Sequence, residues 1–165
     1  TTAVKELVKR LKQDNPFYYS ELHGRKHYSN VMMAGLQLAM HYDLNTRLFK
    51  YFAYLHDSCR HNEGYDPDHG PRAAEYIDTI KDLIDLCTAE RWALQSACQM
   101  HTSAKPWDGK KYTLFEKCAF DADRSDIGRV CFAVDPQYLF TQKGKELFVN
   151  EKQDYEQDRW TGIYA

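Results

Sequence analysis

No window of this chain approaches the roughly 18 consecutive apolar residues that span a bilayer, and no apolar segment behind a basic start marks a secretory leader. The expectation is a cytoplasmic protein with no membrane partner. Charge of one sign is also missing: 22 Lys and Arg face 24 Asp and Glu, for a net −2 with His neutral. Nothing therefore draws the chain to a nucleic-acid duplex, and any phosphorylated partner must be held by a local cluster of cations. The cysteines (Cys59, Cys87, Cys98, Cys118 and Cys131) are odd in number and lack Cys-x-x-Cys spacing, which favours reduced thiols over a disulfide framework. Glycine and proline are sparse and fall where turns are expected. There is no internal repeat, low-complexity tract or linker, and no run of alternating β-branched residues to suggest strands. The sequence does not begin with Met, so trimming is expected, and residues upstream can be missing.

What is present is a folding composition. The 165 residues are 43% hydrophobic and 14% aromatic, enough for one domain with a proper core. Apolar residues recur at helical spacing almost throughout. Val4, Leu7, Val8 and Leu11 form one stripe, and His27, Val31, Ala34, Leu38 and Ala39 a second. Leu48, Phe49, Phe52, Ala53 and Leu55 form a third that ends on His56 and Asp57. Pro71 is expected to open a helix carrying Ala73, Ala74, Ile77, Ile80 and Ile84, with Asp66 and Asp68 as its caps. Trp92, Leu94, Ala97 and Cys98 lead to His101. "TLFE" at Thr113–Glu116 is a capping box that starts a helix through Phe115, Ala119, Ala122, Asp123 and Asp126. Asp135 and Pro136 read as the cap and first position of a helix through Leu147. The fold class is all-α, a single-domain helical bundle.

His27, His56, Asp57, His101 and Asp123 each fall on or beside the apolar stripe of one of these helices. Buried imidazole and carboxylate cost several kcal/mol unless paired or metal-bound, on the order of 2–7 kcal/mol for an uncompensated polar group. A single inward histidine is ordinarily a hydrogen-bonded core residue, but five such groups on four helices suit a divalent cation. Helical neighbours diverge by about 100°, so His56 and Asp57 can share an ion only at the edge of the buried stripe, where they sit.

The order His27, then "HD" at 56–57, then Asp123 within "DADRSD", resembles the HD-domain superfamily of helical, metal-dependent phosphohydrolases. The stretches "HGRKH", "LHDSCR", "DPDHGPRAA" and "DADRSDIGR" are most similar to small bacterial HD proteins without well-defined substrates. The resemblance covers about residues 20–135, with 136–165 as a helical extension. It implies that His27, His56, Asp57 and Asp123 are ligands of the main metal, Asp123 rather than Asp121 because it directly precedes the basic residue. His69 and His101 match positions where two-metal members hold a second ion bridged by Asp57; His69 could equally cap the next helix. The ion could be Mn, Ni, Fe, Zn or Mg, one or two per chain.

Basic residues decide whether phosphate is plausible. Arg60 and then Lys26 are the expected phosphate contacts, since Arg60 lies one turn beyond His56 and Lys26 abuts His27. Arg124 is either a third contact or a structural partner of Asp121 or Asp126, and Arg72 and Arg129 are close in sequence to His69 and the acidic helix. His23 reads as a pocket residue, because "HGRKH" lacks the glutamate of a zinc HExxH helix. His41 reads as solvent-facing; His61 is either solvent-facing or a substrate or proton-transfer group, the latter role open to His69 and His101 too. Asp126 is either a partner behind a metal ligand or a general base, and Asp121 a helix-stabilising acid. Ser58 and Cys59 lack a triad, so metal-activated water is the expected nucleophile. The expected substrate is a small nucleotide or phosphate ester. Two other readings stand beside it: an HD-type mixed-valent di-iron oxygenase, which needs both ions, and a nucleotide-binding protein without turnover. Oligomeric state is open, the 12 tyrosines serving an interface as readily as a pocket.

Overall fold

A computed structural model describes residues 2–131 and 133–149. Its helices are α1 (Thr2–Asp14), α2 (Arg25–Tyr42), α3 (Thr46–Leu55), α4 (His69–Thr79), α5 (Thr88–Met100), α6 (Leu114–Ser125) and α7 (Gln142–Phe148). Short 3₁₀ turns lie at Lys81–Leu83, Ile127–Arg129 and Pro136–Tyr138, and no strand occurs among the described residues. None of these helices is long and apolar enough to cross a membrane.

The stripes read from sequence become the core. Helix α2 packs against α3 and α6, α4 lies along α5, and α3 and α6 both touch α5. Leu7, Leu11, Val31, Leu38, Phe49, Phe52, Leu55, Ile77 and Leu94 are buried in one continuous cluster. Each large side chain of this kind contributes about 1.5–3 kcal/mol by leaving water. Gly35 lets α2 approach α3 closely, since a Cβ there would lie 2.8 Å from the Phe49 ring. Helix ends are set by local chemistry. The Asn45 side chain accepts the Arg47 N–H, and the Thr113–Glu116 capping box forms in both directions. Asp43 ends α2 in the left-handed conformation.

Three sequence expectations are corrected. The helix expected from Pro136 to Leu147 is broken: Asp135 does accept the Gln137 N–H, but only a 3₁₀ turn follows, and α7 starts afresh behind a Thr141 cap. The cause is Asp121, whose carboxylate accepts the N–H groups of Phe140 and Thr141 and the Thr141 hydroxyl, holding that segment extended against α6. Trp92 is 66% exposed and leaves the stripe of α5 to Leu94, Ala97 and Cys98. Helix α4 starts two residues before Pro71, at His69. Asp68 precedes it without a side-chain cap bond, and Asp66 instead accepts the His61 N–H and binds Arg72. Residues 150–165 of the expected helical extension lie outside the described residues.

Candidate metal centre

Helix ends converge on Asp57. His27 lies in the first turn of α2, His56 caps α3, His69 begins α4, His101 caps α5 and Asp123 sits in the last turn of α6. Gly24 permits the entry to α2. A Cβ there would come within 2.5–2.7 Å of the carbonyl oxygens of Phe17, Tyr18 and Ser20, so the turn before the helix closes only on glycine. The imidazole of His56 is held by stacking on Phe52, with centroids 4.9 Å apart, which ties the site directly to the core.

The two oxygens of Asp57 face two clusters. On the Oδ2 side, His27 Nε2 lies at 3.6 Å and His56 Nε2 at 3.8 Å. Asp123 Oδ1 closes this group, 3.2 Å from His27 Nε2 and 3.5 Å from His56 Nε2. On the Oδ1 side, His69 Nε2 lies at 2.9 Å and His101 Nε2 at 3.7 Å. Metal–nitrogen bonds of about 2.0–2.1 Å place ligand atoms roughly 3–3.5 Å apart around one ion; the separations here, from 2.9 to 3.8 Å, are close to that spacing. The two triads that could each hold an ion, His27–His56–Asp57 and Asp57–His69–His101, share Asp57 and are buried throughout.

Hydrogen bonds on the far side of each ring decide what the near side offers. His56 Nδ1 can only donate to the Phe52 carbonyl, 3.0 Å away, and His101 Nδ1 to that of Cys98, at 2.6 Å. His69 Nδ1 likewise donates to Asp66 O, and His27 Nδ1 to the Asp126 carboxylate at 2.8 Å. With Nδ1 protonated, the neutral ring presents a bare lone pair at Nε2. Those lone pairs then point at each other, 3.0 Å apart between His27 and His56 and 2.9 Å apart between His69 and His101. Such an arrangement is repulsive unless a cation or a proton lies between. A carboxylate or carbonyl behind each ring is also the outer-shell pattern of metal-bound histidine. The donor set therefore fits two divalent cations.

The protonation of the site without metal follows from the same contacts. Burial opposes the charge on Asp57, yet His56 and the hydrogen bonds from His101, His23 and His69 hold its carboxyl well below the usual range. Burial opposes Asp123 too, and His27 and His56 hold it low. Burial works against a charged His27, but Asp123 and Asp126 raise its pKa above the ordinary value.

His23 also reaches the centre. Its Nδ1 is 3.1 Å from Asp57 Oδ2 and its Nε2 3.2 Å from Glu63 O, so both hydrogen bonds form together only when the ring is doubly protonated. Arg60 is buried, with Nη1 3.4 Å from Asp57 Oδ1 and its other nitrogens on the carbonyls of Asn62 and Gly64. Asp126 has both oxygens engaged, one by His27 and the other by the Asn30 amide at 2.8 Å. That makes it a positioning residue for His27 in this geometry.

Other expected site residues lie elsewhere. Lys26 is 72% exposed and pairs with Glu21, because the first turn of α2 turns it to solvent while His27 points inward. His61 is exposed, as is His41. Arg124 lines the cavity over the centre and forms no ion pair with Asp121 or Asp126; its nitrogens donate to the carbonyls of Tyr138, His101 and Ala104. Arg72 is engaged by Asp66 and Cys59 O.

A cavity of about 690 Å³ opens over the clusters, reached by Asp57, His69, His101 and Asp123 on one side and by segment 133–138 on the other. Arg129 enters it with Nη2 3.9 Å from Asp57 Oδ2, held by Leu22 O and Asp126 O. Thr102 Oγ1 lies 3.4 Å from both His69 Nε2 and His101 Nε2. Thr102, Lys105 and the 133–138 wall carry no motif, and only tertiary folding brings them here.

No family model and no curated protein matches the chain. Its fold is similar to the crystal structure of a predicted HD superfamily hydrolase from an uncultured Thermotogales bacterium. The identity is 22%, the TM-score 0.60, and the match covers 74% of this chain and 67% of that one. The likeness shows the fold: the helices of this chain are arranged as in an HD domain.

Proposed function

We propose that this HD-fold protein is a metal-dependent phosphohydrolase acting on a small nucleotide or phosphate ester at a two-cation centre built on Asp57. The observation that carries the reading is the double set of facing Nε2 lone pairs on the two sides of one carboxylate. The likeness to a predicted hydrolase supports the same class of reaction. His27, His56, Asp57 and Asp123 would hold one ion, and Asp57, His69 and His101 the other.

A divalent cation there would bring the pKa of a water toward neutrality and offset charge on a phosphoryl oxygen. The protein's own groups do the remaining work. Asp126, Phe52 O, Asp66 O and Cys98 O fix the four rings so that each offers Nε2 to the centre. Arg129, anchored by two carbonyls with one nitrogen toward the cavity, orients an anionic oxygen. His23 Nδ1, 3.1 Å from Asp57 Oδ2, stands where an N–H can donate to that carboxylate. A covalent route lacks a nucleophile: Ser58 Oγ donates to Leu55 O, and burial pushes the Cys59 thiol up.

The second cluster also favours keeping a di-iron oxygenase as the alternative, since that chemistry needs both ions. Phosphate release from simple phosphomonoesters and nucleotides separates the two. Chelator-treated protein is reloaded with Mn, Ni, Zn, Mg or Fe and assayed with and without oxygen. Cation-restored phosphate release that is indifferent to oxygen is expected. Turnover requiring both iron and oxygen, or no release with any cation, would overturn the phosphohydrolase reading.

A further inference from the structure

The cavity over the metal centre is lined by four cations, and the three arginines are each held by backbone carbonyls. Arg60 is bound by Asn62 O and Gly64 O, Arg124 by three carbonyls, and Arg129 by Leu22 O and Asp126 O. Lys105 differs. Its Nζ lies 5.1 Å from the centroid of the Tyr138 ring, half-buried in the cavity wall, and no carboxylate among the described residues forms an ion pair with it. The acid nearest in sequence, Asp108, is occupied by the N–H groups of Lys105 and Lys110 and by the Tyr112 hydroxyl. Burial, and then the charge of Arg124, pull the Lys105 ammonium below its ordinary pKa, against a smaller pull from Asp108.

A half-buried ammonium over an aromatic face, with no ion-paired carboxylate, is an incomplete site. The ring offers about 0.5–2 kcal/mol of attraction, a small fraction of what an anion in a partly desolvated cavity supplies. Beside Tyr138 that wall carries Ala133, Val134 and Pro136, together with Asp135 and Gln137, whose side chains are hydrogen-bonded to each other. Trp107, 56% exposed, packs edge-on to the Tyr138 ring at 5.1 Å and fixes the platform from outside. The volume, about 690 Å³, suits a nucleotide-sized molecule rather than a bare phosphate.

We propose that Lys105, seated on Tyr138, is the specificity residue of this cavity and binds a second anionic group on the molecule whose phosphate sits at the metal centre. The inference rests on the phosphohydrolase reading for the first phosphate and adds that the preferred substrate carries at least two anionic groups. Tyr138 holds the ammonium in place, and Ala133, Val134 and Pro136 take the part of the molecule between the two anions.

Binding tests this without turnover. Manganese-loaded wild-type protein is titrated calorimetrically with adenosine 5′-monophosphate, adenosine 5′-diphosphate and adenosine 3′,5′-bisphosphate. The last two place the second phosphate on the chain or on the ribose. At least one of them is expected to bind about tenfold more tightly than the monophosphate, the value of one hydrogen bond to a charged partner. Lys105→Met, which keeps the aliphatic stem, should reduce that preference to within about twofold and leave monophosphate affinity unchanged; Lys105→Arg should restore part of it. Absence of a preference in wild type, or equal weakening of all three ligands in Lys105→Met, would overturn the inference. Failure of the phosphohydrolase reading has a different signature: no phosphate released, whatever the binding preference.

Discussion

Replacing Gly70 with alanine perturbs the junction that builds the second cluster. Gly70 follows His69 in the first turn of α4, where that helix lies against the end of α5. A Cβ would come 2.6 Å from the Cys98 carbonyl oxygen, 3.1 Å from that of Gln99 and 3.3 Å from His101 Cε1. Two of these neighbours are backbone and cannot turn away. Ordinary contact begins at 3.4 Å, so α4 must retreat by about 0.8 Å. Overpacking of this kind costs about 1–3 kcal/mol, and the better helix propensity of alanine returns up to about 1 kcal/mol. The net loss, about 1–2 kcal/mol, lowers Tm by roughly 2–8 °C in a chain of this size. The effect on metal should be larger than the effect on fold. His69 moves with α4, while metal–ligand distances tolerate only about ±0.2 Å. Gly70→Ala should therefore lose one cation per chain and keep the other, held by His27, His56, Asp57 and Asp123. Thermal unfolding and metal counting on the same sample read both effects. Unchanged Tm with both cations retained would refute the reasoning.

Three further outcomes follow from the same contacts. Asp126→Asn keeps the size of the side chain but removes the carboxylate behind His27 Nδ1, so affinity for the first cation should fall about 10–100-fold with little change in Tm, as read by metal titration. Arg124→Met strips donors from three carbonyls and should cost about 2–3 kcal/mol in chemical denaturation. In metal-free protein, the low pKa values of Asp57 and Asp123 contribute stability that is present above their ordinary 3.8 and lost as pH falls through the folded values. The raised His27 value contributes stability that is present below its ordinary 6.5 and lost as pH rises through the folded one. Chelated protein should therefore be more stable at pH 5.5 than at pH 8, and added manganese should raise Tm more at pH 8, which differential scanning calorimetry measures.

The parts of the fold legible in sequence were those written as period and cap. The stripes of α2 and α3 and the Thr113–Glu116 box became helices because local propensity and burial agree there. His27, His56, Asp57, His101 and Asp123 stood out as candidates for a related reason: they fall on or beside an apolar stripe, where polar groups rarely sit without a partner; the ligand set itself is what the resemblance to HD domains implies. What depends on distant contacts was not legible. The break at 139–141 is made by Asp121, about twenty residues earlier, and local propensity carries no trace of it. Lys26 and His27 are adjacent, yet a rotation of one residue sends the first to solvent and the second into the buried His–Asp cluster. Arg124 follows a candidate ligand but is drawn to carbonyls of two loops that no spacing rule brings together.

The two-cation centre is tested most directly by counting metal, using elemental analysis of protein purified without chelator and then saturated with manganese. Two ions per chain are expected in wild type, one in His69→Ala and none in Asp57→Ala, because the Asp57 carboxylate is shared by both clusters. Circular dichroism checks that each variant keeps its helices. Retention of two ions by folded Asp57→Ala, or no bound metal in wild type after saturation, would contradict it.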